Sequence, residues 1–140
     1  MKSLRHSAVK TAVSFSKTIP LIVGMILLIS LISNIIPRSF YAMIFSKNPL
    51  LDSLIGSAIG SVSTGPPITS YIIGGELLKE GVSLIAVTAF MVAWVTVGVI
   101  QFPFESIMLT VKFALIRNAT SFLFSIVVAI VTVLLLNNGW

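Results

Sequence analysis

The chain has 140 residues, 56% of them hydrophobic and 9% charged, with a mean hydropathy of +1.09 and a net charge of +5. A soluble domain carries about 25% charged residues, so this chain cannot dress a water-facing surface, and lipid is the expected solvent for most of it. The absence of cysteine excludes disulfides and thiolate metal sites, His6 is the single histidine, and no basic run with interleaved aromatics marks a nucleic-acid partner.

Residues 1–17, MKSLRHSAVKTAVSFSK, predict an amphipathic helix. Leu4, Ala8, Ala12 and Phe15 share one face, and Lys2, Lys10 and Lys17 lie opposite, the pattern of a helix in the headgroup layer of an anionic leaflet. The segment is too polar, and the apolar run after it too long, for a cleaved signal peptide. Residues 18–36 predict a first span, since nineteen residues cover roughly 28 Å at about 1.5 Å each. Residues 37–48 read as a connection. Asn48-Pro49 then reads as an N-cap followed by proline at the first helical position.

The region 49–80 is expected to be a broken helix pair. A short helix runs through Ser63, the stretch Thr64-Gly65-Pro66-Pro67 interrupts it, and a second short helix ends before Gly81, a residue suited to a helix C-terminus. Crossing the bilayer once, about 32 residues would make a helix of roughly 48 Å, well over the ~30 Å core; folded back, each arm is about 23 Å. The returning hairpin also leaves Asp52, Glu76, Lys79 and Glu80 at one face. It places Lys2, Arg5, Lys10, Lys17, Lys112 and Arg117 on the cytoplasmic side, against Arg38, Lys47 and Lys79 outside.

Residues 82–102 predict the next span, with Ala86, Ala89, Ala93 and Thr96 as a small-residue seam and Trp94 packed inside the bundle. Residues 103–118 read as interfacial, and 119–136 as the last span. The expected fold is therefore all-α: a multi-pass cell-membrane protein of one domain, with three spans and a re-entrant hairpin, and its N-terminus cytoplasmic.

Backbone that leaves a helix in hydrocarbon strands its polar groups at several kcal/mol each, and survives only when buried in protein or beside water. The break is therefore the candidate binding site for a small polar or anionic solute. Ser63, Thr64, Gly65, Thr69, Ser70 and Tyr71 would form it, with Pro66 and Pro67 setting the bend. The N-terminus of the second short helix offers a half-positive charge and free N–H donors. Glu76 is a second candidate, as an ion or proton relay. The stripe Ser53, Gly56, Ser57, Gly60 and Ser61 reads as helix-packing glue. The Asn118-Ala119-Thr120 sequon is a chance match.

The stretch from Ile36 to Gly98, IPRSFYAMIFSKNPLLDSLIGSAIGSVSTGPPITSYIIGGELLKEGVSLIAVTAFMVAWVTVG, resembles the predicted-permease family that includes the organoarsenical efflux permeases. The resemblance covers roughly residues 18–105 and rests on the proline-ended span, the Asn-Pro or Gly-Asn connection, the glycine-spaced short helix, the Ser/Gly/Pro break, and Lys79-Glu80-Gly81-Val82-Ser83 before an alanine-rich span. It implies a half-length permease that completes its pathway as a homodimer in lipid. Arsenic-handling members are similar in carrying thiols beside the break. Ser63, Thr64 and Gly65 stand there in this sequence, which implies an oxygen-liganded or anionic solute instead. A passive ion or water channel and a structural or regulatory membrane subunit are the alternatives. No cofactor or enzymatic activity is expected, as the membrane segments hold no histidine or paired carboxylates and the chain no phosphate-binding loop.

Overall fold

The computed structural model describes residues 2–35, 38–46, 48–63 and 65–138. Every regular element among them is a helix: α1 (Lys2–Ile35), α2 (Arg38–Ile44), α3 (Pro49–Val62), α4 (Pro67–Lys79), α5 (Leu84–Thr96), α6 (Phe102–Met108) and α7 (Val111–Asn138). The chain divides into two compact units, residues 1–35 and 36–140.

The first unit is one continuous helix of 34 residues, about 51 Å long. The expected boundary between an amphipathic helix at 1–17 and a span at 18–36 is not marked by any turn. No cap or glycine stands at Lys17-Thr18, and Pro20, within the helix, removes a single backbone donor.

The second unit is organised around α5. Gly56 of α3 meets the Ala86 carbonyl and Gly60 meets that of Phe90, so α3 and α5 run parallel and nearly touch backbone to backbone. The small-residue stripe is thus packing glue, as its spacing suggested. Gly74 of α4 faces Val87 and Met91, and α4 runs antiparallel to α5. On its other side α5 packs against α7, where Ile85 and Ala89 meet Ala129, and Ser57 shares a buried 2.8 Å hydrogen bond with Ser125. Phe45, Leu77 and Met91 close around Val82, Ala86 and Val87. The alanine seam is buried at Ala86, Ala89 and Ala93, whereas Thr96 is exposed.

Residues 49–80 fold back on themselves. The Asn48 side chain caps α3 by accepting from the Leu50 N–H at 3.2 Å. α4 ends at Lys79, and Gly81, at φ +88°, turns the chain into α5. The Ser83 hydroxyl then donates to Asp52 Oδ2 at 2.7 Å, which fixes the start of α3 beside the start of α5.

Two expectations change. Residues 82–102 do not form one continuous helix, because α5 stops at Thr96 and an irregular stretch leads to α6. At 13 residues α5 is about 20 Å long, short of the ~30 Å hydrocarbon thickness. The last helix is longer than 119–136, starting at Val111. Among the described residues α7 is the one helix long and apolar enough to cross a membrane. Asp52 is a buried acid of the second unit. It is 1% exposed, held between α3 and α5, with Oδ1 lacking a hydrogen-bond partner among the described residues. It lies in the first turn of α3, where the helix dipole favours a carboxylate.

Candidate functional site

α3 ends at Val62, and the Ser63 N–H closes it onto the Ile59 and Gly60 carbonyls. Gly65 follows at φ +152°, a conformation open to glycine and strained for other residues. A Cβ there would lie 3.3 Å from the Trp94 ring. Trp94, set edge-on to Phe90 at 5.4 Å, donates its indole N–H to the Gly65 carbonyl at 3.2 Å. That bond gives the broken backbone one of the partners it would otherwise lack in hydrocarbon.

A cavity of about 40 Å³ opens beside this contact. Ser63 and Gly65 line it from the break, and Trp94, Val95, Val97, Gly98 and Gln101 from the end of α5. The Asn118 carboxamide of α7 holds one of the lining residues, Gly98, from behind. Its Oδ1 accepts the Gly98 N–H at 2.8 Å, and its Nδ2 donates to the Ala114 carbonyl at 2.9 Å. The Gly98 N–H is the donor that would have continued α5 by bonding to the Trp94 carbonyl. Diverting it to α7 goes with the helix ending at Thr96. Behind Gly98, Arg117 pairs with Glu105 of α6 at 2.7 Å. Arg117 Nη2 lies 3.2 Å from the position a Gly98 Cβ would take, and Gln101 Oε1 2.9 Å from it, so a side chain at 98 would make the ends of both side chains give way.

The residues expected to form the site do not all converge. Ser63 and Gly65 reach the cavity. Thr69 is buried nearby, its Oγ1 3.9 Å from the Gly65 Cβ position. Ser70 is fully buried and donates to the Pro67 carbonyl at 2.7 Å within its own turn. Tyr71 is 64% exposed on α4. Pro66 and Pro67 shape the bend from an exposed position. Thr64, like Lys47, lies outside the described residues. Glu76 is bonded to Lys79 at 2.7 Å on an exposed stretch of α4.

The electrostatics of the break differ from the expected anion cradle. Prolines at the N-cap and first turn of α4 carry no N–H, and the Thr69 N–H is taken by the Pro66 carbonyl at 2.9 Å. The cavity lies instead at the C-terminal ends of α3 and α5. Sequence reasoning passed over Gln101, Asn118 and the Glu105–Arg117 pair. The signal for Asn118 and Arg117 was their place inside a long apolar helix, where polar side chains mark function or a partner. The chain matches no protein-family model, and no curated protein or solved structure shows significant similarity to it.

Proposed function

We propose that this chain is a half-size, multi-pass membrane permease that assembles, as a homodimer, to move a small polar solute past the break between α3 and α4. The observation carrying this reading is the cavity at Ser63 and Gly65, at a helix break in a chain too apolar for water. Unpaired backbone is tolerated at membrane depth where it adjoins protein or a wet path, and transporters place their sites at such breaks. In this reading α3 and α4, 14 and 13 residues long, form the re-entrant hairpin, with the apolar part of α1, α5 with its irregular extension, and α7 as the spans. The N-terminus is cytoplasmic by the distribution of Lys and Arg.

The resemblance of roughly residues 18–105 to predicted permeases supports the same assignment, and pairing two such halves would complete a pathway one half leaves open. The absence of cysteine directs the choice of solute away from thiolate-bound arsenicals. The test is solute flux into proteoliposomes containing the purified chain, with Gly65→Ala and Pro66→Ala as variants. Both variants should lose most of the flux while the protein remains folded. Flux unchanged in both would remove the site.

A further inference from the structure

Parallel packing of α3 and α5 brings two helix C-termini together at the break. Each such end carries about half a negative charge and carbonyls without intrahelical partners. The Trp94 and Val95 carbonyls belong to the last turn of α5, and both residues line the cavity. The N–H that would have met the Trp94 carbonyl, that of Gly98, is bound to Asn118 Oδ1.

The polar groups of the remaining lining supply further acceptors. The Ser63 hydroxyl donates its proton to the Ile59 carbonyl at 2.7 Å, leaving lone pairs on Oγ. The Gly65 carbonyl has the Trp94 indole as partner and keeps a second lone pair. Gln101 contributes a carboxamide oxygen. The Trp94 and Gly98 N–H groups are both committed. Behind Gly98 the Arg117 guanidinium is charge-paired with Glu105 at 2.7 Å, while its Nε and Nη2 are buried without a hydrogen-bond partner among the described residues.

We infer that this cavity binds a small monovalent cation, sodium in preference to potassium, through the carbonyls of Gly65 at the break and of Trp94 and Val95 at the end of α5, with Ser63 and Gln101. Hard cations take oxygen ligands, and broken-helix C-termini hold coupling ions in this way. No carboxylate lines the cavity, which sets it apart from a calcium site. A volume of about 40 Å³ has room for about one water-sized occupant, enough for a small ion that has shed most of its hydration. The inference rests on the permease reading for one point only, that this cation drives the solute.

The experiment is thermal unfolding of the purified full-length protein in detergent, titrated with sodium, potassium or choline chloride at constant ionic strength. Sodium should raise the melting temperature in a saturable way, and potassium and choline should not. Gln101→Met and Ser63→Ala should each weaken the apparent sodium affinity by about tenfold, the low end for losing one charge-assisted oxygen contact. Equal melting in all three salts, or sodium stabilisation unaltered in both variants, would overturn the site. So would a stabilisation that follows the anion and vanishes in Arg117→Gln, since the guanidinium would then be the binding group. Flux measured alongside separates the two claims. Sodium stabilisation without flux leaves the cation site and removes the permease. Flux together with salt-independent melting does the reverse.

Discussion

Replacing Gly56 by alanine isolates the contact on which the second unit is built. A Cβ at this position would lie 2.2 Å from the Ala86 carbonyl oxygen and 3.0 Å from its carbon. Ordinary carbon–oxygen contacts begin near 3.3 Å, so α3 would have to retreat by about 1 Å. The obstacle is backbone, and no rotamer change relieves it. A gap of 0.5–1 Å forfeits roughly a quarter to a half of the dispersion energy of each contact it opens. In lipid that packing is the main force holding helices together. Overpacking costs about 1–3 kcal/mol, near the upper end for a backbone clash, while alanine returns about 1 kcal/mol of helix propensity. The expected net loss is about 2 kcal/mol. At Gly75 on α4, a Cβ would meet nothing within 4 Å, and Gly75→Ala should be neutral or stabilising by up to about 1 kcal/mol. Unfolding followed by far-UV circular dichroism in mixed micelles, titrated with SDS, compares the two. A Gly56→Ala protein as stable as wild type, or a Gly75→Ala protein equally damaged, would refute the seam.

Three further outcomes follow from single contacts. Ser83→Ala removes the one partner that the buried Asp52 carboxylate has among the described residues and the cap that accepts from the Ala86 N–H; it should cost about 2–4 kcal/mol, and more than Asp52→Ala, which leaves no buried charge behind, and the same unfolding assay would show the reverse order if the pair were incidental. A double-mutant cycle on Ser57→Ala and Ser125→Ala should return a coupling of about 0.6 kcal/mol, typical of a hydrogen bond between helices in lipid, and zero coupling would contradict the contact. Glu76→Gln, at an exposed pair with Lys79, should change stability by less than about 1 kcal/mol and leave proteoliposome flux intact; lost flux would make Glu76 a relay after all.

The sequence made local devices legible and long-range ones obscure. Asn48-Pro49 and Gly81 announce helix ends through their own backbone chemistry, and both stand where their residue types require. The Ser/Gly stripe of α3 and the alanines of α5 were readable as packing surfaces from spacing alone, because small side chains at helical intervals have one main use in lipid. What spacing could not supply was the pairing. Asp52 reads as a surface acid until α5 is known to lie parallel to α3, which carries Ser83 to it from 31 positions away. Asn118 reads as half of a sequon until α7 is seen to lay it against Gly98. The end of α5 at Thr96 follows the same logic. The local sequence VTVGVIQF is apolar enough to continue a span, and the donor that would have continued it is taken by a residue 20 positions away. The candidate site shifted for this reason, from the hydroxyls of α4 to the paired ends of α3 and α5.

Thiol labelling tests the central claim most directly, since the native chain has no cysteine and each introduced one is read without background. Ser46→Cys, before α3, and Lys79→Cys, at the end of α4, should react with a membrane-impermeant maleimide from the same side. Ser63→Cys, at the break, should react with a small water-soluble thiosulfonate and be slowed by sodium. Labelling of positions 46 and 79 from opposite sides, or a thiol at position 63 that no aqueous reagent reaches, would contradict a chain that turns back within the membrane beside a wet cavity.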